Sequence, residues 1–170
     1  GLLLQCRNYV ERHFSKKEID RLFFYMQESN PSTANIARIN MFLHGVRSFS
    51  QAPASDSIRL PHFREGQTRR LRQFDRIVMN PPFSLESWGY DDFVGGDPYD
   101  RFTFGIPPRD NGDYAWMQQV VKSLKPTGRA IIVMSQGILF RGQPMQTEAE
   151  DGRNQKADAE YLIREGFIKN

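Results

Sequence analysis

The chain has 170 residues, of which 39% are hydrophobic and 25% are charged, as expected for a globular domain with a sizeable core. Its formal net charge of +3 permits a polyanionic partner without requiring one. A single cysteine, Cys6, excludes an internal disulfide framework and a cysteine-based metal cluster, so we expect a reducing, cytoplasmic compartment. No apolar run approaches the roughly 20 residues that a membrane-spanning helix needs.

The N-terminal part of the sequence predicts a helix, a strand and a second helix in turn. Apolar residues recur at helical spacing over residues 2–14, and the aromatic-rich run 22–26 is typical of a short strand. Glu28 therefore lies at the carboxyl end of a strand. Asn30, directly before a proline, is typical of a helix N-cap, and the helix is expected over residues 31–43. This order indicates a βα unit of a doubly wound α/β sheet.

The middle of the sequence contains one strong strand and one long loop. Over residues 46–73 the pattern is weak, and only residues 58–60 predict a short strand. Residues 74–79 predict a buried strand, which must end at Asn80 because two prolines follow and neither can donate to a ladder. Residues 84–111 are rich in Gly, Asp, Pro and aromatic residues and predict a loop on the side of the active site.

The C-terminal part predicts two more helices and two more strands. A helix is expected to begin at Asp113 as its N-cap and to run to Leu124. The continuous apolar run 130–134 is typical of a strand buried on both faces. The polar residues 146–158 predict a mobile loop. A helix over residues 159–164 and the beginning of a strand at Phe167-Ile168 complete the predicted elements.

The residues that follow the central strand offer the groups needed to hold an exocyclic amine. Asn80 has a side-chain acceptor, and the Pro81 carbonyl is a second acceptor because the prolines break the ladder. Two converging acceptors would bind both N–H groups of an amine and leave its lone pair free, while Phe83 offers a flat face to a planar substrate. In an open α/β sheet, ligands bind at this edge. The alternative interpretation of Asn80 is an amide that caps a turn.

Several segments together resemble the methyltransferase (M) subunit of type I restriction-modification systems, a DNA methyltransferase that transfers a methyl group from S-adenosylmethionine to N6 of adenine. The resemblance covers nearly the whole chain. It rests on the following segments: Asn80-Pro81-Pro82-Phe83, Glu28-Ser29-Asn30-Pro31 with Ala37-Arg38-Ile39-Asn40-Met41 and Leu43-His44-Gly45, Gly112-Asp113-Tyr114-Ala115-Trp116, Leu124-Lys125-Pro126-Thr127-Gly128-Arg129 and Gly137-Ile138-Leu139-Phe140-Arg141-Gly142.

The resemblance implies an α/β, Rossmann-like fold of the S-adenosylmethionine-dependent methyltransferases, with a mostly parallel sheet and helices on both faces. Residues 1–170 are then one partial catalytic domain. The first strand and the glycine-rich donor-binding loop of the family are missing from it, and Gly1 resembles the last glycine of that loop. We therefore expect this fragment to be inactive by itself.

The resemblance also implies roles for individual residues and partners. It assigns adenine binding and catalysis to Asn80, Pro81, Pro82 and Phe83. Glu28 is expected to bind the ribose hydroxyls of S-adenosylmethionine, with Asp56 and Gly1 as further contacts to this methyl donor, and no metal is expected. The implied partners are DNA and the specificity (S) and restriction (R) subunits, with no membrane.

Two other functions remain open from the sequence. The chain is alternatively a non-catalytic module of the same fold that binds nucleic acid or a partner, or a methyltransferase of protein glutamine amides, whose nitrogen requires similar chemistry. The aromatic residues of the long loop, Trp88, Tyr90 and Phe93, either line a lid that faces DNA or fix the loop to the core.

Overall fold

The computed structural model describes residues 1–144 and 158–169, which belong to two compact units, residues 1–64 and 65–170. The predicted polar loop 146–158 lies outside the described residues except for its last position. The helices in the described ranges are α1 (Leu2–His13), α2 (Lys16–Ile19), α3 (Pro31–Leu43), α4 (Asp113–Lys122) and α5 (Ala159–Lys169), with short 3-10 helices at Tyr90–Asp92 and Gln136–Leu139. The strands there are β1 (Phe24–Met26), β2 (Phe49–Gln51), β3 (Phe74–Met79) and β4 (Leu124–Ile132).

The first unit contains a two-stranded parallel sheet. β1 pairs with β2, so that Phe24 lies opposite Phe49 and Met26 opposite Gln51. Parallel neighbours need a crossover, and α3 provides it. The apolar sides of α1, α3 and the sheet meet in one core, formed by Leu4, Met41, Val46, Phe24, Met26 and Phe49.

The predicted helix over residues 31–43 is confirmed, and its start follows the expected capping chemistry. The Asn30 Oδ1 atom accepts the N–H groups of Ser32 and Thr33 at 2.9 and 3.1 Å. Both N–H groups lie in the first turn, where a helix has no internal partners for them. At the other end, Gly45 has a φ of +69°, the left-handed conformation that ends many helices.

The prediction of a strand over residues 58–60 is wrong. Ile58 is buried in a turn, and its N–H group donates to the Asp56 carboxylate at 2.7 Å. The strand that follows α3 is instead β2, over residues 49–51. Sequence patterns missed β2 because it has only three residues and two of them are polar.

The second unit also contains a two-stranded parallel sheet, and β3 confirms the predicted strand 74–79. In register with β4, Ile77 lies opposite Ala130 and Met79 opposite Ile132. Near the start of β4, residues 125–128 bulge out of the pairing. A Cβ atom on Gly128 would lie 2.9 Å from the Phe74 carbonyl oxygen, so only glycine fits there.

The prediction that residues 130–134 are buried on both faces is wrong. Ile131 is 72% exposed and Val133 is 47% exposed, whereas Ala130 and Ile132 between them are half-buried. Burial therefore alternates along the strand, because the described elements of this unit cover one side of it.

The boundaries of both α4 and α5 differ from the predicted ones. The N-cap of α4 is Gly112, and Asp113 is the first helical residue, with its side chain fully buried. The helix ends at Lys122, since Leu124 already belongs to β4. The prediction of a strand at Phe167-Ile168 is wrong, because both residues lie in α5. This helix extends to Lys169, well beyond the predicted range 159–164.

The long loop between β3 and α4 has a core of its own. Trp88 and Phe93 are buried and stack with their ring planes 7° apart, and the Phe102 ring packs edge-on against both. The Arg101 guanidinium, which is also buried, pairs with Asp97 at 2.8 Å. Burial raises the pKa of Asp97, but the hydrogen bonds and charge of Arg101 lower it by more. Trp88 and Phe93 therefore fix the loop to the core and do not face a ligand.

Candidate active site

The candidate site of the second unit is the segment Asn80–Phe83, called the NPPF loop below, which follows directly on β3. The Met79 carbonyl accepts the Val133 N–H group at 3.0 Å in a last link between the paired chains. Neither Pro81 nor Pro82 has an N–H group with which to continue this pairing. Pro81 is buried, whereas its neighbours in the loop are exposed. The chain therefore leaves the sheet with one proline packed inside and the other side chains outside.

Three groups of the NPPF loop are available to an external ligand. Within the described residues, neither the Asn80 side chain nor the Pro81 carbonyl takes part in a hydrogen bond. The Phe83 ring is 48% exposed, and it stacks on no other aromatic ring of the described residues. An exposed amide, a carbonyl without a donor and an exposed ring thus lie within four consecutive residues.

The chain immediately after this loop is held by the start of α4. Ser84, although not a glycine, has a φ of +50°, and its N–H group donates to the Asp113 Oδ1 atom at 2.8 Å. The Gly112 N–H group donates to the Leu85 carbonyl at 3.1 Å. A Cβ atom on Gly112 would lie 2.6 Å from the Trp88 Cβ atom, so glycine is needed for this close approach.

The second carboxylate oxygen of Asp113 belongs to a charged network. It accepts the Ser135 hydroxyl at 3.0 Å and the Arg141 guanidinium at 2.5 Å, and Arg141 also contacts Glu160 at 3.1 Å. Burial lowers the pKa of Arg141, whereas the hydrogen bond to Asp113 and the charge of Glu160 raise it by more, so this pKa lies above its usual value. The sequence predicts only a capping role for Asp113 and no role for Ser135, Arg141 or Glu160, because no local pattern signals contacts between distant segments.

In the first unit, Glu28 lies just after β1 and is half-buried. Its Oε1 atom accepts the Asn30 N–H group at 2.9 Å and the Ser29 hydroxyl at 3.3 Å. Its Oε2 atom accepts no hydrogen bond from the part of the chain that the structure describes. One oxygen therefore supports the turn before α3, and the other remains as an acceptor for a ligand.

Asp56 lies in a segment that is hydrogen-bonded to the Glu28 turn. The Ser55 N–H group donates to the Glu28 carbonyl at 3.1 Å. Gln27 connects the same two segments, since its Nε2 atom donates to the Ser55 hydroxyl at 3.0 Å and to the Leu60 carbonyl at 2.8 Å. The structure thus brings the segments of Glu28 and Asp56 together. Sequence analysis missed Gln27, although an amide directly after a strand was a signal for it.

Gly1 is the exposed N-cap of α1. Its carbonyl accepts the N–H groups of Leu4 and Gln5 at 3.1 and 3.3 Å. An added Cβ atom on Gly1 would meet no atom within 4 Å. The hydrogen bonds of Gly1 are therefore the ones that an N-cap residue makes to the first turn of its helix.

The described residues also bear on metal binding and on membrane insertion. No group of three or more His, Cys, Asp or Glu side chains there is placed to hold a metal ion. No helix found in the same ranges is long and apolar enough to cross a membrane.

Comparison with known families identifies the group of proteins to which these sites belong. The sequence pattern of the N-6 DNA methylase family matches residues 1–150, which include every residue discussed above except those of α5. The chain belongs to this family. An N-6 DNA methylase has the S-adenosylmethionine-dependent methyltransferase fold, and the parallel β3–β4 and β1–β2 pairs agree with that fold.

Individual relatives of the chain are methylase subunits of type I restriction enzymes. The chain is 27% identical to the HindI methylase subunit of Haemophilus influenzae over 81% of its own length and 28% of the relative. It is 30% identical to the MjaVII subunit of Methanocaldococcus jannaschii, over 83% of the chain and 23% of the relative. For the MpnII subunit of Mycoplasma pneumoniae, the identity is 27% over 99% of the chain and 29% of the relative. The chain thus spans about a quarter of the length of these relatives.

Proposed function

We propose that the chain is part of a DNA methyltransferase that transfers a methyl group from S-adenosylmethionine to N6 of adenine, as the modification subunit of a type I restriction-modification system. The observation that carries this proposal is that, among the described residues, the Asn80 amide and the Pro81 carbonyl make no hydrogen bond and lie next to the exposed Phe83 ring. These groups lie at the carboxyl end of a parallel strand in a member of the N-6 DNA methylase family.

The NPPF loop suits an adenine that has been extruded from the duplex. Extrusion is required because N6 is otherwise engaged in base pairing, and it costs about a few kcal/mol. Asn80 Oδ1 and the Pro81 carbonyl oxygen accept the two N6 hydrogens, and the Phe83 ring stacks on the base. Accepting both hydrogens draws the nitrogen toward tetrahedral geometry and directs its lone pair away from the ring system.

S-adenosylmethionine, when bound, supplies an electrophilic methyl group to this lone pair. As the new bond between N6 and the methyl carbon forms, the bond between that carbon and the sulfonium sulfur breaks, and the donor leaves as a neutral thioether. The positive charge thus passes to the N6 atom, which then releases one of its hydrogens as a proton to water. No side chain of the NPPF loop needs to act as a base, because proton loss follows the transfer. The contribution of Asn80 and Pro81 is therefore orientation of the acceptor nitrogen.

The first unit offers acceptors that fit the methyl donor. Glu28 Oε2 is a carboxylate oxygen to which no group of residues 1–144 or 158–169 donates, and ribose hydroxyls are donors, so Glu28 fits the role of ribose binding. Asp56 uses its Oδ1 atom to bind the Ile58 N–H group, which leaves its Oδ2 atom for a contact to the donor. Gly1 remains a proposed contact at the start of α1.

The proposal extends to partners and compartment. Several relatives are subunits of type I restriction enzymes, which supports DNA and the specificity and restriction subunits as partners of the complete protein. We place this assembly in the cytoplasm, where its DNA substrate and its methyl donor occur together.

The experiment that tests the proposal uses the complete subunit assembled with its specificity subunit. Duplex DNA and bulk protein are offered as acceptors together with methyl-labelled S-adenosylmethionine, and the labelled DNA is digested to nucleosides. We expect the label in N6-methyl-2′-deoxyadenosine. Label in protein glutamine, or no transfer from the assembled complex to either acceptor, would overturn the proposal.

A further inference from the structure

The residue after the NPPF loop has an unfavourable backbone conformation. Ser84 has a φ of +50°, which costs a non-glycine residue free energy unless surrounding contacts enforce it. Because Ser84 follows Phe83 directly, its backbone torsions set the direction in which the Phe83 ring and the preceding carbonyls face. A contact that fixes Ser84 therefore also fixes the geometry of the proposed adenine site.

That contact is made by a buried carboxylate. Asp113 Oδ1 accepts the Ser84 N–H group at 2.8 Å, and the Asp113 side chain is fully buried. A buried carboxylate is tolerated when its charge is paired, and Arg141 pairs with the opposite oxygen at 2.5 Å. The two oxygens thus have different partners: one binds the chain next to the NPPF loop, and the other binds Ser135 and Arg141.

We propose that Asp113 is a positioning residue, which holds the NPPF loop through the Ser84 N–H group so that Asn80, Pro81 and Phe83 meet the base in one geometry. This inference rests on the proposed function. Asp113 itself does not touch the substrate. Its effect is on orientation, and a displacement of about 1 Å in such a site lowers the rate roughly 10²-fold.

Two substitutions separate this role from a purely structural one. D113N keeps an oxygen for the Ser84 N–H group and an amide donor for the Ser135 hydroxyl, but removes the charge that pairs with Arg141. D113E keeps the charge, but its extra C–C bond of about 1.5 Å displaces the oxygens from the positions at which Asp113 binds the Ser84 N–H group. E160Q is the control, since it removes the other charge partner of Arg141 without touching Asp113 or the loop.

The measurement is steady-state transfer by the complete subunit with its specificity subunit, together with the Tm of each variant. We expect D113N to lower Tm more than D113E. We expect kcat per folded molecule to fall roughly 10²-fold for D113E and much less for D113N, with the KM for DNA close to wild type in both. E160Q is expected to lower Tm and leave kcat unchanged. If D113E does not fold, D113A measured well below its Tm takes its place.

The inference is overturned if kcat per folded molecule is unchanged in D113E or D113A, or if D113N loses as much kcat as they do. The first result would mean that Asp113 acts on stability alone, and the second that its charge sets the rate and its hydrogen bond to the Ser84 N–H group does not. Failure of the proposed function is recognised separately, because the wild-type complex would then transfer no methyl group to DNA at all.

Discussion

The two units each contain an Asn-Pro turn after a strand, and the two asparagines have different partners. In the first unit, Asn30 Oδ1 accepts the N–H groups of Ser32 and Thr33 and so caps α3. In the second unit, the Asn80 side chain takes part in no hydrogen bond among the described residues. The same dipeptide thus serves a structural role in one place and leaves a free amide in the other.

The residue two positions after each asparagine explains this difference. It is Ser32 in the first turn, where it donates the shorter of the two capping hydrogen bonds, at 2.9 Å. It is Pro82 in the second turn, and proline has no N–H group to donate. The second proline therefore removes from the Asn80 turn the donor of the shorter capping hydrogen bond, which favours an Asn80 oxygen that is available to a ligand.

The largest expected effect comes from removing the free amide. N80A deletes the acceptor for one N6 hydrogen, and we expect methyl transfer to DNA to fall roughly 10²–10³-fold, as when one preorganised hydrogen-bonding group is removed from an active site. Because Asn80 is exposed and makes no hydrogen bond within the described chain, we expect a change in stability of at most about 0.5 kcal/mol. Labelled-methyl transfer and chemical denaturation of the complete protein measure the two effects.

The matched control for this change is N80D, which keeps an acceptor oxygen at the same place. We expect N80D to retain more transfer activity than N80A at equal stability. If N80A instead destabilised the protein by as much as the loss of a helix cap, Asn80 would be a structural residue like Asn30.

The next largest effect is expected at the acidic residue of the first turn. E28Q keeps an oxygen for the Asn30 N–H group but loses the charge, and hydrogen bonds to charged groups are the stronger ones. We expect affinity for S-adenosylmethionine to fall roughly tenfold to a hundredfold with little change in Tm. Calorimetric titration of the complete protein checks this, and unchanged affinity would remove Glu28 from the proposed donor site.

The contrast between the turns also shows what sequence patterns were able to predict. The strand over residues 74–79, the helix over 31–43 and the Asn30 cap follow from local rules about apolar periodicity, proline and capping, and all three are confirmed. The sequence also predicts an end of the β3 pairing at Asn80, since the absence of a proline N–H group is a property of the sequence itself, but it leaves open whether the Asn80 amide caps a turn.

The predictions that failed depend on contacts between distant segments. Asp113 was predicted to cap its own helix, but its partners Ser84 and Arg141 lie 29 and 28 residues away in the sequence. Likewise, Ile131 was predicted to be buried because its neighbours are apolar, whereas burial depends on which elements cover the sheet. Local patterns contain no information about either relationship.

A smaller effect is expected when the second turn is made to resemble the first. P82S places an N–H group two residues after Asn80, so the side chain acquires the internal partner that Asn30 has. One such bond is worth about 1 kcal/mol, and adenine must then compete with it, which predicts about a fivefold lower kcat. Steady-state transfer at saturating DNA measures this loss, and an unchanged kcat would show that the second proline does not keep the amide free.

The smallest expected effect on activity comes from N30A, which removes the cap of α3. Loss of an asparagine cap costs about 1 kcal/mol of stability, so we expect an earlier transition in chemical denaturation. The backbone N–H group that binds Glu28 remains in this variant. We therefore expect transfer per folded molecule and affinity for S-adenosylmethionine to match wild type. If N30A weakened donor binding as strongly as E28Q, the Asn30 side chain would have a functional role, and the two turns would not differ in the way that their hydrogen bonds indicate.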